Sequence, residues 1–252
     1  MATPTFLPPF CALSELPQRL QQQGFAVLPP ADVARWIGCN LSDLQALEPD
    51  WNDLPPDHYL RDGGRYRQRR HASFIVQEAT VHTVHHRAHW QPVEYNALHG
   101  GMERWFEPMR PDSLTRPVWN QLLHTLGQLC TDVFTPGHPP PPWFVESHQF
   151  RIDTTDGIGR PTPEGAHRDG VDLVAVFLVA RQGVKGGETR VFEACAPAGQ
   201  RFTLTQPWSL LLLDDARMIH ETTPIQPEVA GGYRDTLVIT CRRGGFQDNP
   251  RS

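Results

Sequence analysis

The chain has 252 residues, of which 39% are hydrophobic and 20% are charged, and it carries a formal net charge of −5. This composition is ordinary for a globular protein that buries a sizeable core, and it excludes a largely disordered chain. A negative balance offers no broad basic surface, so neither nucleic acid nor a membrane is an expected partner. Because barrel and sandwich domains reach about 250 residues, we expect a single domain over residues 1–252.

The cysteines and the N-terminus indicate a cytoplasmic protein. The five cysteines form no C-x-x-C pair, which is typical of reduced thiols that pack as small apolar residues. They are Cys11, Cys39, Cys130, Cys195 and Cys241. The N-terminus has no basic segment ahead of an apolar stretch, so no secretory signal is expected. The longest apolar run, Leu173 to Ala180, is far shorter than the roughly 20 residues that cross a bilayer.

The first part of the chain has mixed secondary-structure signals. Amphipathic spacing predicts helices over residues 13–22 and 31–37, with a short apolar strand over residues 24–28 between them. Residues 50–65 are rich in Pro, Asp and Gly and are predicted to be a loop. Alternation then predicts a strand or hairpin arm over residues 65–77.

The longest predicted helix, over residues 113–134, closes this mixed part of residues 1–134. Its apolar residues recur at helical spacing over several turns. The stretch TPGHPPPPW that follows, Thr135 to Trp143, contains four consecutive prolines and cannot continue a regular element. We interpret it as the joint to a β-rich core over residues 144–245.

Six short strands separated by turn residues are predicted in that core. They are WFVESHQFRID, DLVAVFLVA, GETRVFE, RFTLT, WSLLLLD and TLVITCR. This spacing favours a jelly-roll fold, so the predicted class is mainly β with flanking helices. Leu173 to Ala180 is apolar on both faces, and we therefore expect the long helix to cover the back of one sheet.

Two residues in EGAHRDG, His167 and Asp169, are candidate metal ligands. In extended backbone they point to the same side, and imidazole with carboxylate suits non-haem Fe(II). The dyad is short enough to arise by chance, so a third ligand is required. His220 is the candidate, because it follows the apolar strand WSLLLLD. We expect Asp214 and Asp215, between that strand and His220, to be turn residues.

A candidate anion site follows His220. In GYRDTLVIT, Arg234 begins the last strong strand and Thr236 shares its face. A planar guanidinium matches a carboxylate in bidentate fashion, and lysine does not replace it well. Arg242 is a poorer candidate, since eight residues of strand place it roughly 26 Å away.

The order of these residues resembles that of the Fe(II)/2-oxoglutarate-dependent dioxygenases. The resemblance implies a double-stranded β-helix and Fe(II), 2-oxoglutarate and O2 as cofactors and cosubstrates. His167, Asp169 and His220 would hold the iron, and Arg234 with Thr236 would bind the distal carboxylate of 2-oxoglutarate. The implied reaction is hydroxylation of a small molecule, with decarboxylation of 2-oxoglutarate to succinate and CO2.

A narrower resemblance lies in two segments, Gln91 to Pro108 and Val145 to Val174. They are similar to the bacterial group that includes the free L-isoleucine hydroxylases, which implies a free L-amino acid as substrate. Such a ligand needs a cation for its carboxylate and an acceptor for its ammonium group. Arg104, Gln149 and Arg151 are the candidate substrate contacts within the two segments.

For several other polar segments we expect a structural or supporting role. Gly186 and Gly187 are expected to form a hairpin turn, with Glu188 and Thr189 supporting the metal site. The histidines in VHTVHHRAHW could line one helix face and bind zinc, but we expect them at the surface or a pocket rim. They are His82, His85, His86 and His89. The basic run Arg67 to His71 is expected to be a solvated face or a pocket wall.

Three alternatives stay open at this stage. The same chemistry could act on a peptide or protein side chain, with the Pro-rich joint bordering a wider groove. The jelly roll could also be a binding module without catalysis, although no ligand of the implied site is missing. Cupin metalloenzymes share the barrel, but they usually need His-x-His, which does not occur here.

Overall fold

Three β-sheets dominate the computed structural model, which describes residues 6–250. Within this range the largest sheet has seven strands, in the order β1-β9-β5-β12-β4-β2-β3. In chain order these strands are β1 (Phe25–Leu28), β2 (Arg67–Gln77), β3 (Thr80–Thr83), β4 (Trp143–Asp153), β5 (Leu173–Gln182), β9 (Leu210–Asp214) and β12 (Tyr233–Arg242). All of their pairings are antiparallel.

Two smaller sheets face or flank the large one. Strands β7 (Thr189–Glu193), β8 (Gly199–Phe202) and β10 (Met218–Thr222) form one of them, in the order β10-β7-β8. Strands β6 (Val184–Gly186) and β11 (Ile225–Pro227) form the other. The fold is therefore mainly β, as predicted.

Five α-helices cover the outer side of the large sheet in the described range. They are α1 (Leu16–Gln23), α2 (Pro30–Ile37), α3 (Leu41–Gln45), α4 (Pro111–Leu114) and α5 (Pro117–Phe134), with 3-10 turns at Leu13–Glu15 and Glu48–Trp51. None of these helices is long and apolar enough to cross a membrane.

The helix predicted over residues 113–134 is interrupted near its start. Arg116 has extended backbone, with φ −67° and ψ 133°, and Pro117 begins α5. A proline disfavours helical backbone in the residue before it but suits the first helical position, so one pattern becomes two helices.

Two apolar layers hold the sheets and helices together. On the outer face, Leu122 and Leu126 of α5 belong to the same buried cluster as Phe177 of β5. On the inner face, Val174 and Leu178 of β5 pack with residues of the smaller three-stranded sheet. Alternate residues of β5 therefore lie in different layers, which explains why the run is apolar on both faces. The expectation that the long helix covers this sheet is confirmed.

Most predicted strands are present with small shifts at their ends. The structure adds β3, β6, β10, β11 and α3, none of which the sequence patterns indicate. These elements are short and largely polar or half-exposed, so their pairing depends on neighbours distant in sequence. The Pro-rich joint before β4 has no helix or strand.

Candidate metal and cosubstrate site

A polar cavity of about 120 Å³ lies between the large sheet and the β10-β7-β8 sheet. Inward-facing residues of β2, β4 and β12 form one wall. The opposite wall contains residues of the loop before β5 and of β10, and the long segment between β3 and α4 contributes most of the other lining residues. Both the candidate metal ligands and Arg234 line this cavity.

The structure brings His167, Asp169 and His220 together. One donor atom from each lies within 4.8 Å of the others. His220 Nε2 and His167 Nε2 are each 3.8 Å from an oxygen of Asp169. His220 lies on β10, but His167 lies in a loop rather than in the strand we expected. An isolated bridge, with reciprocal hydrogen bonds of 3.0 and 2.9 Å to His220, aligns that loop.

Neighbouring groups orient the imidazoles toward a common point. His167 Nδ1 donates to the carbonyl oxygen of Gly165 at 2.9 Å, which leaves the lone pair of Nε2 free to bind a metal. Burial lowers the pKa of His220 well below its ordinary value, so this ring is neutral and able to coordinate. Two histidines and a carboxylate form the facial set typical of non-haem Fe(II) and leave three coordination positions for reactants.

Asp215 anchors the loop that carries His167 and Asp169, residues 167–171, which we call the metal-binding loop. It is 1% exposed, and its carboxylate accepts backbone N–H groups from Asp169, Gly170 and Val171 at 2.9, 2.7 and 3.1 Å. Burial and the charge of Asp169 raise the pKa of Asp215 to about 7. The prediction of a plain turn residue missed this role, because the contact depends on Asp169, which lies 46 positions earlier in the chain.

Arg234 and Thr236 face the cavity from β12. Arg234 is 3% exposed, and among the described residues no acidic side chain pairs with it and its Nε has no partner. Burial lowers its pKa to about 10, which still leaves the guanidinium charged at neutral pH. A buried cation without an anion is costly, so this position fits the carboxylate of a bound 2-oxo acid.

Gln149 and Arg151, predicted as substrate contacts, lie on the wrong face of β4. Its cavity-facing residues include Glu146, His148 and Phe150, and successive side chains of a strand alternate in direction. Arg151 forms a bidentate pair with Asp235 at 2.8 and 2.7 Å. The prediction failed because the alternation of side chains along a strand does not show which of its two faces lines the cavity.

Glu188 and Thr189 also lie away from the cavity lining. Glu188 accepts a hydrogen bond from Arg190 Nε at 2.9 Å, and its backbone pairs with Thr223. Thr189 begins β7 and is paired with Thr222 of β10. They support the strand that carries His220 without touching the three candidate ligands.

Arg104, the third predicted substrate contact, does line the cavity. It is 2% exposed, and its Nη2 donates to Gln91 Oε1 at 2.9 Å. Gln91 Nε2 in turn donates to Asp169 Oδ1 at 3.0 Å. Within residues 6–250 Arg104 has no ion-pair partner, and its Nε has no hydrogen bond. A neutral amide therefore connects an unpaired guanidinium to a candidate metal ligand.

The basic run on β2 is a pocket wall. Arg67 and Arg69 share one buried carboxylate, Asp57, at 2.7 and 3.8 Å. The Arg69 guanidinium also stacks between two rings, 3.6 Å from the centroid of Phe106 and 4.3 Å from that of Phe150. Two cations with one acid give this part of the cavity a net positive charge.

A second cluster beside the cavity has four possible ligand atoms within 4.8 Å of one another. Its members are His71, His89, Glu146 and His148. Arg69 Nη2 donates to His148 Nδ1 at 2.6 Å, and Arg87 Nη1 donates to Glu146 at 3.0 Å. Two adjacent cations disfavour a further metal ion, so we interpret this cluster as a hydrogen-bond network.

Burial keeps the histidines of that network neutral. It lowers the pKa of His89 to about 4 and the pKa of His71 and His148 below the ordinary value. His89 and His71 therefore donate N–H groups to Glu146, at 3.1 and 3.2 Å. His82, His85 and His86 are exposed and lie outside any helix, so only His89 of the histidine-rich segment belongs to the cavity.

Comparison with known proteins shows which family this chain belongs to. The model of the 2OG-Fe dioxygenase family matches residues 48–240. The chain belongs to this family. Members use Fe(II), 2-oxoglutarate and O2, so the protein is an oxidoreductase whose cofactors fit the His, Asp and Arg side chains described above.

Solved structures agree with this assignment. A bsmA homolog from Methylobium petroleophilum PM1 is 51% identical, with a TM-score of 0.89, and the match covers 96% of this chain and 98% of that one. IDO from Bacillus thuringiensis is 17% identical, with a TM-score of 0.75 and coverages of 93% and 100%. The Fe(II)/α-ketoglutarate-dependent dioxygenase TqaL is 21% identical, with a TM-score of 0.69 and coverages of 94% and 88%. The last two show the shared jelly-roll fold. No curated protein matches the chain.

Proposed function

We propose that this dioxygenase hydroxylates a free L-amino acid. His167, Asp169 and His220 would hold Fe(II), and Arg234 with Thr236 would bind the distal carboxylate of 2-oxoglutarate. Arg104 would bind the carboxylate of the substrate. The unpaired thiols of all five cysteines favour the cytoplasm as the compartment in which the protein works.

One observation supports this function: two buried guanidinium groups in one cavity, those of Arg104 and Arg234, have no acidic partner among residues 6–250. Arg234 lies on β12, and Arg104 lies in the segment between β3 and α4. One anion, the cosubstrate, accounts for only one of these cations. A second carboxylate is therefore needed, and a free amino acid carries one at its α-carbon. A residue inside a peptide chain has lost that group to its amide bond, which favours the free molecule over a protein side chain.

Bound Fe(II) and 2-oxoglutarate would supply the oxidising chemistry, and the protein would supply placement. Arg234 holds one end of the cosubstrate, while Arg104 holds the substrate beside the metal-binding loop. The link from Arg104 through Gln91 to Asp169 sets the position of the substrate carboxylate relative to the ligands. Burial of both guanidinium groups excludes water and strengthens their interaction with carboxylates.

A succinate-release assay tests the proposal. Protein purified without oxygen and loaded with Fe(II) would be given 2-oxoglutarate and each proteinogenic L-amino acid in turn. We expect at least one amino acid to stimulate succinate formation and to gain one oxygen atom, measured by mass spectrometry. Slow succinate formation that no amino acid stimulates would contradict the substrate class and leave the reaction class standing. The His220→Ala variant serves as the control without a complete metal site.

A further inference from the structure

We propose that Glu164 accepts the ammonium group of the substrate, so that Glu164 and Arg104 together recognise a zwitterion. This inference rests on the proposed function, and it names a specificity-determining residue for the same site. Both side chains line the cavity, and the sequence patterns did not single out Glu164.

Glu164 is a largely buried carboxylate with unsatisfied hydrogen-bonding capacity. Its side chain is 11% exposed, and its Oε2 is buried without any hydrogen-bond partner among the described residues. Its Oε1 lies 3.5 Å from His167 Nε2, the atom that would face the metal. Coordination by that nitrogen would leave both carboxylate oxygens of Glu164 available to a ligand.

The arrangement of the two charges favours a ligand that carries both. Glu164 acts electrostatically on Arg104, yet no ion pair joins the two side chains within residues 6–250. A direct salt bridge would satisfy both groups, and keeping the two charges largely buried without such a bridge costs free energy. A molecule with a carboxylate toward Arg104 and an ammonium group toward Glu164 would complete both sets of hydrogen bonds.

Other partners for Glu164 explain the geometry less well. It lies outside the group of donor atoms that could hold the metal. Arg67, the other cation on this side, already donates to Asp57 at 2.7 Å. His99 also has a ring nitrogen, Nε2, that is buried without a partner in the described structure. A neutral imidazole accepts a weaker hydrogen bond from ammonium than a carboxylate does, so Glu164 is the stronger acceptor.

The test compares KM for ligands with and without an ammonium group, in the wild-type enzyme and in single-residue variants. The probe is the L-amino acid that best stimulates succinate formation in the wild-type enzyme, together with its des-amino analogue and its 2-hydroxy analogue. Both analogues keep the carboxylate and lack the ammonium group. KM and kcat are measured for wild type, Glu164→Gln, His99→Gln and Glu193→Gln. Glu193 is an exposed residue of β7, and its substitution changes one surface charge only.

We expect the wild-type enzyme to prefer the amino acid over both analogues. Glu164→Gln should raise KM for the amino acid by about 10- to 100-fold and change KM for the analogues by less than about 3-fold. This selective loss of discrimination is the readout that a structural role cannot produce. Glu193→Gln should behave as wild type.

Three outcomes would overturn the assignment. Glu164→Gln could leave discrimination intact, it could weaken the amino acid and the analogues equally, or His99→Gln could be the variant that removes discrimination. Fe(II) affinity is measured in parallel, and a variant is compared with wild type only where this affinity is unchanged, so that damage to the metal site is recognised separately. Failure of the broader proposal looks different, because then no amino acid stimulates the wild-type enzyme.

Discussion

The cavity has two walls that are built in different ways. We call the side formed by Arg234 and Thr236 of β12 the strand wall. The loop wall consists of Gln91, Asn96, His99, Arg104 and Glu164. The strand wall is positioned by the hydrogen bonds of the central strand, which pairs on both sides with β4 and β5. In the described structure the loop wall has no regular ladder; an isolated backbone bridge between His89 and Arg104, together with side-chain hydrogen bonds, positions its residues.

We propose that this difference separates binding of the cosubstrate from recognition of the substrate. A residue on a central strand cannot move without disturbing its neighbours, so the strand wall suits a cosubstrate common to the family. Side-chain contacts such as those of Gln91 can be exchanged while the sheet stays intact. The loop wall is therefore the place where substrate choice is expected to reside.

Removal of a metal ligand should have the largest effect on activity, because the reaction of both the cosubstrate and the substrate requires the metal. His220→Ala should lower Fe(II)-dependent succinate formation by at least about 1000-fold, since the oxidising chemistry belongs to the cofactor. Stopped assays with added Fe(II) and a parallel metal titration would measure it. Retention of wild-type Fe(II) affinity by this variant would show that the ion binds elsewhere.

A substitution on the strand wall should weaken the cosubstrate and spare the substrate. Arg234→Met should raise KM for 2-oxoglutarate by roughly 100-fold, because the proposed bidentate contact with the distal carboxylate would be lost. Steady-state kinetics with varied 2-oxoglutarate would measure the change. Arg201→Met, at an exposed position of β8, is the matched control. An equal effect on the amino-acid KM would break the proposed division between the walls.

Asp215 tests how much the metal site depends on side-chain support, because it holds the loop that carries Asp169. Asp215→Asn replaces a carboxylate that accepts three backbone N–H groups, and supporting contacts of this kind are worth about 10- to 100-fold in metal affinity. We expect Fe(II) affinity, measured by titration, to fall by that factor. Asp214→Asn removes the neighbouring carboxylate, which does not contact the metal-binding loop, and should leave the affinity unchanged.

The smallest expected effect is on the pH dependence of the free energy of unfolding, and it comes from His89 beside the loop wall. The pKa of His89 is about 4 in the fold and about 6.5 when unfolded, so below pH 6.5 the unfolded chain takes up a proton that the fold excludes. Stability should therefore fall as pH decreases through this window. Glu146, Arg104, His71 and His148 surround the ring.

The His89→Asn variant measures this contribution. Its loss of stability between about pH 7.5 and 5.5, measured by urea unfolding, should be smaller than that of wild type by roughly 1 kcal/mol. The exposed His138→Asn variant should follow wild type. An unchanged slope for His89→Asn would mean that this imidazole is not held neutral in the folded protein.

Several features of the site were accessible from residue spacing. His167 and Asp169 are close in sequence, and extended backbone directs residues two apart to one side. Arg234 and Thr236 stand out for the same reason, since both lie on one long apolar strand. The error at Gln149 and Arg151 arose from the same periodicity, because alternation does not say which face of β4 is internal.

The sequence by itself determined the fold class, the positions of most strands along the chain and the candidate ligands, because short-range periodicity and residue chemistry carry that information. Only the tertiary structure decided that Asp215 anchors the metal-binding loop and that Gln91 joins Arg104 to Asp169. It alone also decided that Glu164 Oε2 is buried without a hydrogen-bond partner among residues 6–250. These relations connect residues far apart in the chain, and they depend on the packing of loops whose side-chain contacts leave no periodic pattern.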